Sequence, residues 1–241
     1  MSSTGPTGAG GTRISRKEIS EAERAGDNQE RYVRCRKAGA THTEVLEALG
    51  AGVDLYWYAS CREAGATHAE VLEAAGAVAD LYRYHICRWA GASHAEVLEA
   101  MEAGADLYWY ARSREAGGTH AEALEAHGAG ADLLYYAYCR RAGATHTEAL
   151  EAVGAGADMN GYSYCREVGA THPEAMALRL SGADQDLSGP AELAVPALRA
   201  ACGTTTIREL GETIATLAQD WAGTADELAA TAVALLSTRA S

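Results

Sequence analysis

The sequence predicts an all-α fold: a right-handed αα-hairpin solenoid of six 26-residue repeats with an N-terminal half-repeat cap and a C-terminal helical cap. The first observation behind this prediction is a phrase, REAGATHAEVLEA at residues 62–74, that returns in near-copies every 26 residues. The second and third are two sets of helix signals inside each copy. Repeats of this length bury their apolar surface by stacking on their neighbours, so the array grows without one central core.

The first helix of each repeat, helix A, is predicted from its two ends. An Asn or Asp stands at the N-cap, where its short side chain can accept a hydrogen bond from the first turn. A glycine stands at the other end, because glycine readily adopts the left-handed conformation that closes a helix. The N-cap residues are Asn28, Asp54, Asp80, Asp106, Asp132 and Asp158, and the closing glycines are Gly39, Gly65, Gly91, Gly117, Gly143 and Gly169.

The second helix, helix B, is predicted from a capping box. A Thr or Ser lies two residues after each closing glycine, and a Glu follows three residues later. The hydroxyl and the carboxylate of such a pair bond backbone N–H groups that the first helical turn leaves unpaired. One capping box is a weak signal, but here it recurs in register as Thr41/Glu44, Thr67/Glu70, Ser93/Glu96, Thr119/Glu122, Thr145/Glu148 and Thr171/Glu174.

The segments outside the repeats predict caps. Asp184 begins what could be a seventh unit, but Pro190 and Pro196 are expected to interrupt its helix, so the repeat is predicted to end there. We interpret the C-terminal hairpin as a cap over the last open apolar face, with dimerisation as the alternative. The predicted order is a disordered lead at 1–13, a capping half-repeat at 14–27, six hairpins at 28–183, a Pro-containing connector at 184–204 and a helical hairpin at 205–241.

Composition and charge narrow the class of protein. The formal net charge of -13 disfavours nonspecific binding to nucleic acid or to an anionic membrane, because both attract basic surfaces. The first residues lack the apolar run of a signal peptide, and no later run is long enough to span a bilayer, so we expect a cytoplasmic protein. Its basic residues are nearly all Arg and its Ala and Gly content is high, which suggests a bacterial genome rich in G and C.

Five of the six cysteines recur at one position of helix A. A disulfide needs Cα atoms within about 7 Å, and equivalent positions of stacked hairpins lie farther apart, so free, half-buried thiols are expected. Ser113 takes the place of cysteine in the fourth repeat, so the thiol is dispensable there. The five are Cys35, Cys61, Cys87, Cys139 and Cys165.

A second stripe of helix A varies from repeat to repeat and predicts the binding site. Its positions are those of Tyr56, Trp57, Ser60 and Glu63, and one of them changes from Trp57 to Arg, Trp, Tyr and Gly in later repeats. Trp, Tyr and Arg are the residues most enriched at binding hot spots. The predicted ligand-binding residues are Tyr56, Trp57, Tyr82, Arg83, Ile86, Trp89, Tyr108, Trp109, Arg112, Tyr135, Tyr138 and Tyr164. For any single Tyr, packing between adjacent A helices is an equal alternative.

Rows of histidines and charged residues suggest catalysis but favour a structural role. Same-position residues of an array are spread along its length and do not converge on one ion, so no metal or other cofactor is predicted. One histidine follows the capping Thr or Ser of every repeat, and we call this row the histidine ladder: His42, His68, His94, His120, His146 and His172. Each ladder histidine is expected to pack over its own turn, and His85 and His127 are expected to face solvent. Glutamates at the position of Glu47 are expected to pair with arginines at the position of Arg62. No phosphate loop, nucleophile elbow or paired-carboxylate site is present, so the sequence predicts no enzyme.

The tandem unit, a helix, a Gly-containing turn and a Thr-capped helix, resembles the superhelical arrays of TPR proteins and of TAL-effector DNA readers. The resemblance is one of architecture and covers residues 14–183; the signature residues of both families are absent. It implies that helix A lines a concave groove. TAL-type repeats read bases with their interhelical loop, whereas the loop AGATH is the least variable part of this repeat, so direct nucleic-acid binding is not expected.

These observations predict a noncatalytic binding protein. Its Tyr/Trp/Arg groove is expected to recognise a peptide, a protein segment or a bulky apolar ligand. One alternative is an acidic rod that mimics DNA and inhibits a DNA-binding protein; another is sequestration of an aromatic small molecule or natural product. No membrane partner is expected, and a homodimer through the C-terminal helices is an open alternative.

Overall fold

A computed structural model describes residues 14–24, 26, 28–77, 80–178, 180, 187–201 and 207–239. The predicted lead at 1–13 and the start of the seventh unit at Asp184 lie outside this part of the chain. The described residues form sixteen α-helices and no strand, which confirms the predicted fold class.

The helices of the repeats are short and alternate as helix A and helix B. They are α1 (Arg16–Arg24), α2 (Gln29–Lys37), α3 (His42–Gly50), α4 (Leu55–Glu63), α5 (His68–Ala77), α6 (Leu81–Trp89), α7 (His94–Glu102), α8 (Leu107–Glu115), α9 (His120–Gly128), α10 (Leu133–Arg141), α11 (His146–Gly154), α12 (Met159–Glu167) and α13 (His172–Leu178). Three more follow: α14 (Ser188–Ala201), α15 (Ile207–Ala218) and α16 (Ala225–Arg239). The even-numbered helices from α2 to α12 are the A helices.

The predicted helix signals are present as hydrogen bonds. Asp54 Oδ1 accepts from the backbone N–H of Tyr56 at 2.8 Å and caps α4. Gly65 has a φ of +85°, which a residue with a side chain rarely adopts, and it ends the same helix. In the capping box of α3, the Thr41 hydroxyl accepts from the Glu44 N–H, and the Glu44 carboxylate accepts from the Thr41 N–H. Local sequence therefore sets where each helix begins and ends.

The chain forms two compact units, divided within α8 between Tyr108 and Trp109. In the first unit the A helices pack side by side, α2 on α4 and α4 on α6. The B helices α3 and α5 each contact the A helix of their own repeat and that of the next: α3 contacts α2 and α4, and α5 contacts α4 and α6. Helix α1 contacts α2 and α3, which is where helix B of a preceding repeat would lie, so it caps the array.

In the second unit α10 packs on α12, and the C-terminal helices pack on the last repeat. Helix α14 contacts α12, α15 contacts α13, and α16 contacts α14 and α15. Helix α14 therefore takes the place of a further A helix. This packing agrees with the interpretation of the C-terminal hairpin as a cap.

Pro190 and Pro196 do not interrupt the helix that follows the sixth repeat, contrary to the sequence prediction. Helix α14 contains both of them. Pro190 lies in the first turn, where a backbone N–H has no partner within the helix. Pro196 lies inside the helix, at a cost of about 3 kcal/mol. Val195 and Leu198 are fully buried and contribute about 1.5–3 kcal/mol each, which offsets that cost.

The core lies on the constant side of the A helices. Its largest buried side chains in the repeats are the tyrosines Tyr32, Tyr58, Tyr84, Tyr110, Tyr136 and Tyr162. The five repeat cysteines are fully buried and are not part of a disulfide, so the prediction of half-buried thiols was wrong. The Sγ of Cys87, for example, lies 3.2 Å from the carbonyl oxygen of Leu107 in the next A helix. Cysteine fits because it is small, apolar and a weak donor.

Candidate ligand-binding surface

A hydrogen-bonded relay joins consecutive repeats on the side of the histidine ladder. His68 Nε2 lies 3.0 Å from Glu47 Oε2 of the preceding repeat, and His68 Nδ1 lies 3.0 Å from the Tyr58 hydroxyl. A carboxylate can only accept, so Nε2 donates, and Nδ1 of a neutral ring then accepts from Tyr58. The Tyr–His bond recurs at 2.8–3.0 Å in Tyr32–His42, Tyr84–His94, Tyr110–His120, Tyr136–His146 and Tyr162–His172.

The contact between histidine and glutamate also recurs within both units, with Nε2–Oε2 distances of 2.9–3.3 Å. The pairs are Glu21–His42, Glu73–His94, Glu125–His146 and Glu151–His172. The ladder histidines therefore do not merely pack over their own turns, as predicted, but connect two repeats. Among the described residues, no three His, Cys, Asp or Glu side chains converge in a way that could hold a metal ion. The relay is a structural feature.

The arginine ladder pairs with different glutamates from those predicted. Arg62 contacts Glu44, the capping-box residue of the preceding repeat, at 4.0 Å, whereas Glu47 contacts a histidine. The reason is geometric: the capping box holds Glu44 at the start of its helix, and Glu47 lies one turn later. The same pairing occurs in Arg36–Glu18, Arg88–Glu70, Arg140–Glu122 and Arg166–Glu148.

The variable stripe of the first unit forms a continuous cluster of rings, which we call the first aromatic patch: Tyr56, Trp57, Tyr82, His85 and Trp89. The Trp57 ring lies 4.8 Å from Tyr56, 5.1 Å from Tyr82 and 6.3 Å from His85, between centroids. The Trp89 ring lies 5.9 Å from His85. Trp89 is 68% exposed and Tyr56 46% exposed, while Trp57 and His85 are half-buried. The rings are therefore packed on one another and still open to solvent.

His85 belongs to this patch, although the sequence predicted that it would face solvent. Its Nδ1 lies 3.1 Å from the backbone carbonyl oxygen of Ser60, on the neighbouring A helix. Burial lowers the pKa of His85; the bond to Ser60 and the Glu63 carboxylate oppose this shift, and Arg34 adds to it. The sequence signal was available: the equivalent positions of three other repeats are Ala59, Ala111 and Ala137. A single histidine at an alanine position indicates a local function. The other off-ladder histidine, His127, is also half-buried.

The charged residues beside the first aromatic patch are paired. The Arg34 guanidinium lies 4.6 Å from the Tyr56 ring centroid, and its Nη2 lies 2.7 Å from Glu63 Oε2. Arg83 lies 3.0 Å from Asp106. These arginines are therefore not free anchors for an anionic ligand, and the patch is apolar with balanced charge at its edges.

The second unit has a smaller cluster, which we call the second aromatic patch: Trp109, Tyr135 and Tyr138. The Tyr138 ring lies 6.3 Å from Trp109 and 6.4 Å from Tyr135, and the Arg141 guanidinium lies 5.3 Å from the Tyr138 centroid. Arg112 pairs with Glu115 at 2.6 Å. This patch contains no histidine.

The remaining predicted residues lie outside both patches. Ile86, Tyr108 and Tyr164 are half-buried. The stripe changes character at the sixth repeat, where Gly161 is buried against the chain that follows α13. A Cβ on Gly161 would lie 1.9 Å from the carbonyl oxygen of Leu180. Glycine replaces an aromatic residue here because the protein's own backbone covers the position.

Two open cavities of about 610 Å³ lie in the first unit. One is lined by Arg88, Ser93 and His94, but the capping box, the relay and the arginine ladder already engage these side chains. The other is lined by Val33, Arg34, Lys37 and Glu63 and lies at the edge of the first aromatic patch. Only the second cavity extends the stripe.

Burial makes the thiol and phenol groups of the core less reactive, as Cys61 and Tyr58 show. Burial raises the pKa of Cys61 to about 12, and that of Tyr58 to about 12. A thiol in this state has little thiolate character and is a poor nucleophile. These groups therefore belong to the core.

No protein-family model matches the chain, and no curated protein matches it. No helix in the described ranges is both long and apolar enough to cross a membrane.

Proposed function

We propose that the protein is a noncatalytic binding protein that recognises a peptide, a protein segment or a bulky apolar ligand through the aromatic stripe of its A helices. The observation that carries the proposal is the first aromatic patch, where Trp89 is 68% exposed beside three more aromatic rings and a histidine. Large exposed apolar clusters are uncommon on soluble proteins and mark interaction sites. Trp and Tyr are also the residues on which binding energy concentrates.

The contrast with the constant side supports this assignment. The tyrosines of the constant side are fully buried and hydrogen-bonded to the histidine ladder, so they account for stability. The rings of the patch are not needed to satisfy any backbone group. Because the arginines at its edge are paired with acids, we assign recognition to Trp and Tyr contacts and not to arginine anchors.

The test uses exposed residues whose loss leaves the core intact. Trp89→Ala and Tyr138→Ala change one ring in each patch, and Glu73→Gln, on a B helix, is the matched control. Ligands are selected on the wild-type protein from displayed peptides and from aromatic compounds, and their affinities for each variant are measured. Loss of a hot-spot ring should weaken binding about thirtyfold, with unchanged far-UV circular dichroism. Ligands that bind the ring variants as tightly as the wild type would contradict the proposal.

A second candidate is an acidic mimic of DNA, and one observation favours it. Glu47 and Glu73 in the first unit are 57% and 62% exposed, Glu125 in the second unit is 65% exposed, and each contacts an imidazole and not a guanidinium. Binding of this kind should weaken steeply with salt and should fail in Glu47→Gln/Glu73→Gln while surviving Trp89→Ala. The same two sets of variants therefore separate the two functions.

A further inference from the structure

We propose that the first aromatic patch binds a neutral, planar aromatic compound carrying an N–H or O–H donor, and that His85 Nε2 accepts the hydrogen bond from this donor. The inference rests on the proposed function and names the ligand class for one of its surfaces. His85 is the residue that gives the surface its specificity.

The tautomer of His85 follows from its one hydrogen bond. The Ser60 carbonyl oxygen can only accept, so the hydrogen of a neutral ring lies on Nδ1. Nε2 is then an acceptor. It forms no hydrogen bond with the described residues, and it is not among the buried polar atoms that lack a partner. The patch therefore presents one oriented acceptor that is accessible to solvent.

The rings around this acceptor favour a flat ligand. Trp57 and Trp89 flank His85 at centroid distances of 6.3 and 5.9 Å, with interplanar angles of 41° and 54°. Tyr82, one turn before His85 on α6, lies 5.1 Å from Trp57 between centroids and extends the surface. Aromatic rings gain most from offset-stacked and edge-to-face contacts, which a planar ligand can make with several of these rings.

The charges at the edge favour a neutral ligand. Arg34 bonds Glu63 through two nitrogens, and Arg83 contacts Asp106 and Asp80. An anionic or cationic ligand has to compete with these existing pairs. A neutral aromatic compound does not.

The hydrogen-bonding capacity of the surface favours a small molecule over an extended peptide. The backbone groups of α4 and α6 are paired within their helices, and an extended peptide presents a donor and an acceptor at each residue. The patch offers isolated side-chain groups instead: His85 Nε2, which the bond to Ser60 holds in place, and the rotatable hydroxyls of Tyr56 and Tyr82. A planar compound with a single donor needs only one of these groups, and His85 Nε2 is the one with a fixed direction.

The position is also individual to this repeat. The residues equivalent to His85 in the second, fourth and fifth repeats are Ala59, Ala111 and Ala137, which are buried in the packing of the A helices. Replacement of Ala by His is not required by the array. Ser60, whose carbonyl also accepts from the Ala64 N–H, remains satisfied without the histidine, so the bond to His85 orients the ring and does not rescue a buried group.

The experiment compares indole with 1-methylindole, which differ in the N–H donor. The methyl group adds apolar surface, so a purely apolar patch binds 1-methylindole at least as tightly as indole. We expect 1-methylindole to bind about threefold to tenfold more weakly, the range of one net hydrogen bond. Affinities are measured by calorimetry, and histidine ¹⁵N resonances are followed on the full chain. Indole should shift the Nε2 resonance of His85, which should show the Nδ1–H tautomer before ligand is added.

Three variants assign the result. His85→Phe keeps a ring but removes the acceptor, and it should abolish the difference between the two probes. Trp57→Ala should weaken both probes. His127→Phe, outside the patch, is the matched control and should bind as the wild type does.

Each outcome decides between the two proposals. Equal binding of the two probes, with loss of both in Trp57→Ala, overturns the role of His85 and leaves the aromatic surface as a binding site. Absence of indole binding at millimolar concentration, with binding of a Trp-containing peptide, overturns the small-molecule class and also leaves the surface. Indole binding that Trp57→Ala does not weaken overturns both, and so does the absence of binding by indole and peptide alike.

Discussion

The relay of Glu47, His68 and Tyr58 between repeats should contribute measurably to the free energy of unfolding. Tyr58→Phe tests this, because it removes only the hydroxyl oxygen. Tyr58 is fully buried, and its hydroxyl lies 3.0 Å from His68 Nδ1. The substitution removes the hydroxyl and keeps the ring in place. His68 Nδ1 is left without its partner inside the array.

The expected loss of stability follows from the hydrogen bond that Tyr58→Phe removes and from the His68 Nδ1 atom that it leaves unpaired. A typical hydrogen bond contributes about 0.5–1.5 kcal/mol net, and leaving a buried polar atom unsatisfied costs about 1–3 kcal/mol. We therefore expect Tyr58→Phe to destabilise the protein by about 1–3 kcal/mol. At roughly 2–4 °C per kcal/mol for a chain of this size, Tm should fall by about 2–12 °C.

The assay is urea and thermal unfolding followed by circular dichroism, with two controls from the same chain. Tyr82→Phe makes the same chemical change at a ring that is 37% exposed, and its effect should stay within about 0.5 kcal/mol. Glu47→Gln should cost less than Tyr58→Phe, because the Glu47 side chain is 57% exposed and water can replace it. Equal effects of Tyr58→Phe and Tyr82→Phe would refute the structural role of the relay.

Three further predictions test the cap and the patch. Gly161→Ala should destabilise the second unit by about 1–3 kcal/mol, because the new Cβ would lie 1.9 Å from the carbonyl oxygen of Leu180. As a control, Gly154→Ala should be neutral or slightly stabilising, because its Cβ would have no neighbour within 4 Å. Thermal unfolding measures both effects. The arginine partner on α14 lowers the pKa of Glu174 to about 2, so this carboxylate stabilises the fold above about pH 4.3 and the stabilisation is lost as pH falls towards 2. Glu174→Gln should flatten the pH dependence of Tm in that range. Indole affinity should hold down to about pH 6.5 and fall at lower pH, because burial lowers the pKa of His85 and protonation then removes the Nε2 acceptor; calorimetry across pH measures this.

The candidate site was predictable from sequence only in part. Comparison of the repeats identified Trp57, Tyr82 and Trp89 because their positions vary while neighbouring positions stay constant. It missed His85, because the comparison followed the four positions of the variable stripe and His85 lies at none of them. It also treated Arg83 as a possible anchor, whereas the structure pairs this side chain with Asp106.

The partners of the charged ladders were decided by tertiary structure. Sequence spacing places Glu47 and Glu44 on one helix, but it does not say which of them meets the arginine and which the histidine of the next repeat. The orientation of one hairpin relative to its neighbour decides the pairing: Glu44 contacts Arg62, and Glu47 contacts His68. Contacts between residues 18 and 21 positions apart are not readable from helical periodicity.

The sequence by itself determined the helices, their ends and the repeat, because capping boxes, Asp N-caps and closing glycines act within a few residues of the backbone they bond. Tertiary structure decided the rest. In the folded protein the repeat cysteines are buried and α14 continues through Pro196. The backbone of Leu180 packs against Gly161, and His85 bonds the carbonyl oxygen of Ser60. These outcomes depend on which surfaces meet after the helices form, and that is set by packing between residues distant in sequence.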